Sequence, residues 1–241
     1  MTQEIKDEVL EQIEKDVLMG FESAEEMTES IADMFADEDD FDEDWLAETI
    51  EARCEEHKEN SFNWSKPTDF ERLDAAFTHL IKNGIVCLHN AGYTKQDSIS
   101  DCEDAIEELE DMNVEVTGYC YYHAQDLERA IDPTSKSLLL GFDSVGKDDE
   151  EAVIIGDTIV EVLKVLNFEV NWDGTIEHRI EIKNINWQKI PNEEDWGVGR
   201  VINIWLEKDD ENAVKNNVET NVKKYDMEND MENNIENDDD D

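Results

Sequence analysis

Two histidines each follow an apolar run that reads as a strand, His89 in His89-Asn90-Ala91-Gly92-Tyr93 and His123 in Tyr122-His123-Ala124-Gln125-Asp126. An imidazole beside a carboxylate can serve as a general base with its orienting partner, and two imidazoles with Asp126 or Asp173 could hold a metal ion. Polar groups also end later apolar runs, at Asp143-Ser144 and Trp172-Asp173-Gly174. In an open parallel sheet functional groups gather beyond the carboxyl ends of the strands. Parallel neighbours would therefore gather these polar ends around one cleft, with His89, Tyr93, His123, Asp126 and Asp173 as the catalytic candidates. A single histidine at a strand end more often caps a helix or bonds a loop carbonyl than it reacts.

Other templates fail on particular residues. Cys87-x-His89 with Cys120-x-x-His123 has the donor types of a zinc site. Cys87 should point into a core, however, and the Cys120-to-His123 spacing splits across both faces of a sheet. The acidic run at 37–44 offers Asp40, Asp42, Asp44 and Glu51 at calcium-loop positions one, three, five and twelve. Position six needs glycine for its sharp turn and is Trp45. GxSxG, GxxxxGK[ST], GxGxxG and HExxH are all absent. Gly141-Phe142-Asp143-Ser144-Val145-Gly146 precedes a helix, yet Asp143 and Asp148 would repel a phosphate there. No cofactor and no metal are expected.

The elements that must position these groups read from periodicity. Thr68 and Glu71 form a capping box ahead of Phe70, Leu73, Ala76, Phe77, Leu80 and Ile81, and Asn83-Gly84 stops the helix. Residues 85–88 are a short apolar run and read as a buried strand. Then come a helix over 100–112, a strand over 116–122, a helix over 125–131, a strand over 137–142 and a helix over 149–166. Strands over 168–172 and 179–185 flank the Asp173-Gly174 turn, and 201–206 reads as a further strand. This alternation predicts an α/β fold: a mainly parallel sheet of four to six strands with alternating helices and an antiparallel hairpin at its end.

Ahead of that core, Ile5, Val9, Ile13, Val17 and Phe21 recur at four-residue spacing, followed by Met27, Ile31, Met34 and Phe35. Gly20 and a Ser23/Glu26 capping box separate two helices, and a third runs over 44–58 through Trp45, Leu46, Ile50 and Cys54. The chain thus divides into a small all-helical subdomain (1–62), an α/β core (63–192) and an acidic Asn/Asp-rich tail (193–241). Beyond Lys208 the tail is too poor in apolar residues to offset its ordering entropy and is expected to be flexible.

These segments carry net charges of -19, -15 and -12, within a formal total of -46 from 66 acidic and 20 basic residues. Such a polyanion is repelled by nucleic-acid backbones and anionic lipid, so neither direct nucleic-acid binding nor membrane attachment is expected. A basic protein, such as a nuclease or toxin, is attracted. No apolar run approaches the ~18 residues of a spanning helix, and the first residues lack a basic then apolar leader. Cys54, Cys87, Cys102 and Cys120 include no CxxC pair and fit reduced thiols. A cytoplasmic location is expected. Tyr119, Tyr121 and Tyr122 on one strand, and Trp172, Trp187, Trp196 and Trp205, are expected to serve packing.

Several motifs together resemble a family of bacterial proteins grouped as a domain of unknown function. They are Arg72-Leu73-Asp74-Ala75-Ala76-Phe77, His89-Asn90-Ala91-Gly92-Tyr93, Tyr122-His123-Ala124-Gln125-Asp126-Leu127-Glu128-Arg129-Ala130, Trp172-Asp173-Gly174, and Arg179 with Trp187. The resemblance spans about residues 10–190 and implies no activity, cofactor or site. It places an apolar residue at the position of Cys87 and leaves the tail after 192 outside the family's pattern.

Charge favours a non-enzymatic acidic binding protein, an inhibitor or immunity-type partner of a basic protein. One alternative is an enzyme or small-ligand domain using the cleft of His89, Tyr93, His123, Gln125 and Asp126. The other is an acidic domain kept soluble by its charge, with no dedicated partner. Sequence leaves the oligomeric state open.

Overall fold

The computed structural model describes residues 1–38 and 40–208. The N-terminal periodicity becomes helices α1 (Gln3–Met19), α2 (Ala24–Met34) and α3 (Glu43–Ser61). Thr2 caps α1, Ser23 and Glu26 make the reciprocal box on α2, and Asp42 caps α3 by accepting from the Trp45 N–H. Asp42 thus satisfies a helix start. Val9, Ile13, Val17, Met27, Ile31, Leu46 and Ile50 close into one buried cluster, each such side chain contributing roughly 1.5–3 kcal/mol.

Gly20 ends α1 at φ 75°, in the left-handed region. A Cβ there would also stand 2.6 Å from the Lys189 carbonyl oxygen, so only glycine satisfies both the turn and the approach.

The core runs α4 (Asp69–Lys82), β1 (Ile85–Leu88), α5 (Lys95–Asp111), β2 (Gly118–Tyr121), α6 (Ala124–Ile131), β3 (Leu138–Ser144), α7 (Asp149–Val165), β4 (Glu169–Asn171) and β5 (Ile180–Lys183). The Thr68/Glu71 box opens α4. α5 begins ahead of its expected start at Ser100, because Thr94 and Asp97 form a further capping box upstream.

The fold is α/β, but the sheet is mixed rather than mainly parallel. Its order is β1-β2-β3-β5-β4. β1 and β2 run parallel, joined through α5, while β2–β3, β3–β5 and β4–β5 are antiparallel. The cause lies at α6, which has eight residues, about 12 Å at 1.5 Å per residue, and packs on α1 and β3. It leaves the chain beyond the C-terminal end of β2, so β3 runs back: Tyr121 pairs with Gly141, three positions after β3 begins. Alternation of helix and strand counts connections without fixing their direction. Residues 141–144 of β3 pair with β2, and residues 138–140 pair with β5.

The run at 201–206, expected as a strand, is helical: residues 198–208 form α8. Val198, Val201, Ile202 and Trp205 recur at helical steps inside a run that also reads as a buried strand. Met1–Ile202 is one compact unit, and the described chain from Asn203 belongs to a second. Residues 193–202, polar by composition, lie in the first. The tail expected to be flexible after Lys208 falls outside the described residues. Among the described residues no helix is long and apolar enough to cross a membrane.

Gly118 lies against α7 with no room for a side chain. An added Cβ would stand 2.7 Å from Ile155 Cγ1 and 2.8 Å from the Asp143 carbonyl oxygen, which belongs to the paired backbone of β3. Gly118→Ala is therefore expected to lower the unfolding free energy by about 1–3 kcal/mol in urea titration. Gly146→Ala, which meets only the mobile end of Glu151 at 3.3 Å, should change it by less than about 0.5 kcal/mol.

Candidate functional site

His89 follows the last residue of β1 and faces Tyr122, the residue after β2 on the parallel neighbour. Its Nδ1 lies 2.9 Å from the Tyr122 hydroxyl and its Nε2 lies 3.1 Å from Asp74 Oδ1 on α4. A carboxylate only accepts, so Nε2 carries the proton and donates, while Nδ1 accepts from the Tyr122 O–H. Burial lowers the His89 pKa against the pull of Asp74, which keeps the ring neutral. Burial works to raise Asp74, yet the His89 hydrogen bond and the Arg200 guanidinium hold its carboxyl below the ordinary value. Arg200, on α8, donates to Asp74 and, at 3.3 Å, to the Thr78 hydroxyl.

Hydroxyl, imidazole and carboxylate in this order have the composition of an acid–base relay. Here the array is largely buried. His89 is 4% exposed and Tyr122 0%, and the rings of Phe77, Phe70 and Trp196 stand 4.5, 5.3 and 5.5 Å from the imidazole. Burial lifts the Tyr122 phenol well above its ordinary value. Both ring nitrogens of the imidazole are engaged, so the array ties β1, β2, α4 and Arg200 together.

Side chains alternate along a strand, so His123 faces away from the side that Tyr122 shares with His89. It caps α6: Nδ1 accepts from the Asp126 N–H at 3.3 Å, and Asp126 accepts from the His123 N–H at 3.4 Å. Arg179, just ahead of β5, donates to Asp126 Oδ2 at 2.8 Å. Burial lowers the His123 pKa; Asp126 opposes the shift and Arg179 adds to it. Asp126 is 1% exposed, and Arg179 and the His123 N–H offset the desolvation of its carboxylate.

Among the described residues no hydrogen bond or ion pair joins His89 to His123. The single cleft expected from parallel strand ends is instead two buried clusters, separated because the histidines are offset by one residue in register. Tyr93 is 57% exposed, and Gln125 is exposed. Asp173 lies in the exposed β4–β5 turn, accepting from the Thr175 N–H and hydroxyl at 3.1 and 2.8 Å with His178 Nδ1 at 2.8 Å. Asp173 borders an open cavity of about 450 Å³ that Arg179 also lines. Trp172 packs edge-on to Phe142 and donates to the Thr175 and His178 carbonyls. Cys87 and Cys120 are buried register partners on β1 and β2, and no group of three or more His, Cys, Asp or Glu among the described residues could hold a metal ion. Another open cavity of about 450 Å³ is bordered by His89 itself with Asn90, Asp101, Glu194 and Trp196. Asn90 has φ 47°, and its Oδ1 is the one buried side-chain polar atom without a hydrogen bond among the described residues.

Lys189 escaped sequence reasoning. It is 3% exposed, and its ammonium lies 4.5, 4.7 and 5.1 Å from the ring centroids of Trp196, Phe21 and Phe70. It donates to the Gly20 carbonyl and, at 3.2 Å, to Asn192 Oδ1. Its own carbonyl meets His57 Nε2 of α3 at 3.0 Å, and Trp187 Nε1 donates to the Met19 carbonyl at 3.1 Å. Nothing in its spacing marks the position; only the flanking tryptophans Trp187 and Trp196 hint at a cage.

Burial lowers the Lys189 pKa to about 8, with Glu194 and Asp74 opposing. The unfolded chain, with an ordinary lysine near ~10.4, binds more protons than the folded chain between these values, so this group adds stability as pH rises through that window and loses it as pH falls through 8. Relative to Lys189→Met, the native protein should therefore gain up to about 3 kcal/mol between pH 7 and pH 10, read from urea midpoints. An unchanged difference at the two pH values would show that Lys189 keeps its proton throughout.

No curated protein and no solved structure matches the chain. The model of a family described as a domain of unknown function (DUF6891) matches residues 2–191. That range is slightly wider than the motifs suggested and stops short of Trp196 and Arg200, so the segment that closes over His89 lies outside the matched region. The match covers most of the sequence, and the chain belongs to the DUF6891 family.

Proposed function

We propose that the protein is a non-enzymatic binding protein for a basic partner, of the inhibitor or immunity type. The observation that carries this reading is stoichiometric: 66 acidic against 20 basic side chains leave an excess of 46 carboxylates with no counter-charge inside the chain. Part of the small cationic set is committed to internal pairs, Arg179 with Asp126, Arg200 with Asp74 and Arg72 with Asp69. The field presented outward is correspondingly negative. Fields of this kind raise the association rate of an oppositely charged protein and are screened by salt. The imidazoles that could support catalysis are engaged in buried hydrogen bonds, which leaves charge as the surface's strongest chemical property.

A nuclease or toxin with a cationic active groove has the complementary chemistry, since occupying that groove both neutralises it and blocks it. The immobilised full chain, exposed to a lysate of its own organism, should retain a discrete basic protein. The association rate should fall about tenfold or more between roughly 50 and 300 mM salt. Retention of nothing beyond what polyglutamate of equal charge retains would sink this reading in favour of charge serving solubility alone.

A further inference from the structure

Between α3 and the chain at Ile190 and Pro191 runs an open groove of about 650 Å³. Its apolar lining comes from Ala24, Ala52, Ile190 and Pro191. Along one wall stand Glu48, Glu51 and Glu55, exposed and at helical steps of three and four residues. The cation that follows them, Lys58, is an exposed side chain 3.6 Å from Glu55. From Glu48 to Glu55 is about 10 Å of helix at 1.5 Å per residue, roughly three residues of extended chain.

Resting on the binding reading above, we propose that this groove is where the basic partner docks, taking a segment that seats an apolar side chain between flanking lysines or arginines. Charge complementarity selects the occupant. A second copy of this chain would bring the same glutamate row against itself, and the acidic tail would be repelled in the same way. The groove is also preformed. Its second wall directly follows Lys189, whose carbonyl is held by His57 of α3 and whose ammonium is held by Gly20, so the two walls are fixed to each other before anything binds. A preformed groove spares a partner the ordering entropy that weakens binding to mobile surfaces. Every residue of the lining lies within 2–191, inside the family match.

Cys54 makes the proposal testable, because it lines the groove and is half-buried, while Cys87, Cys102 and Cys120 are fully covered. The probe is a fluorescent twelve-residue lysine peptide carrying two central leucines, compared with the same peptide carrying serines. The leucine peptide should bind the full chain about tenfold or more tightly and slow alkylation of Cys54 by iodoacetamide. Ala52→Gln, which fills the groove without changing charge, and Glu51→Lys, which breaks the row, should each weaken it about tenfold, whereas Glu107→Lys on exposed α5 should change it less than threefold. Circular dichroism checks that each variant is folded. Binding that leaves Cys54 alkylation unchanged, or that Glu107→Lys weakens as much as Glu51→Lys, overturns the groove while leaving the acidic-partner reading standing. Failure of lysate capture overturns that reading instead. Equal binding of the leucine and serine peptides removes the apolar anchor and with it the proposal.

Discussion

The Lys189 ammonium sits where three stretches of chain converge: the α1–α2 turn through Gly20 and Phe21, the start of α4 through Phe70, and the segment after β5 through Asn192 and Trp196. Burying an isolated ammonium is costly, but aromatic faces and carbonyl oxygens are the neutral partners that recover part of the loss, with a desolvated cation–π contact contributing about 2 kcal/mol. The surrounding excess of carboxylates adds a long-range field that favours a cation at this position. The missing Cβ of Gly20 lets the Lys189 backbone approach. Helical segment, core and C-terminal strap are thereby fixed around one charge.

The same docking also brings like charges together. α1 packs on α6, where Lys15 and Glu128 make a half-buried pair at 3.5 Å. Beside it Asp16 is pushed up to about 6, first by burial and then by Glu22 and Glu128, against a lowering hydrogen bond from Gln12. The Val9–Ile13–Val17 stripe is consumed in the cluster with α2 and α3, so the helical segment docks despite this repulsion through the aromatic ring set around Lys189. Local stability and surface charge thus rest on different residues.

Elements with local signatures were legible in the sequence. Capping boxes at Ser23/Glu26 and Thr68/Glu71 placed α2 and α4, and the apolar run at 85–88 placed β1. Strand direction was not legible, because helix–strand alternation is compatible with a connection that returns along the sheet and with one, like α6, that turns over its end. α8 was misread for a related reason: Val201, Ile202, Ile204 and Trp205 satisfy both periods, and only the tertiary environment chooses. For the candidate site, sequence singled out His89, His123 and Asp126, and the structure places each in a buried hydrogen-bonded cluster. It missed the partners that decide what they do. Asp74 lies on the preceding helix and Arg200 far along the chain, and the one-residue offset that separates the histidines depends on strand pairing.

β3 gives residues 141–144 to β2 and residues 138–140 to β5. No row of backbone hydrogen bonds therefore crosses the whole sheet from β1 to β4. Mechanically these are two small ladders laid end to end along one shared strand, joined by the backbone of β3 and by the side chains packed over them. α7 supplies such side chains, packing on β2, β3 and β4 together. Motion at the β4–β5 hairpin can then be absorbed at the junction near Leu140 and Gly141 without breaking the parallel pair that holds His89, so the two ends of the sheet are free to differ in rigidity.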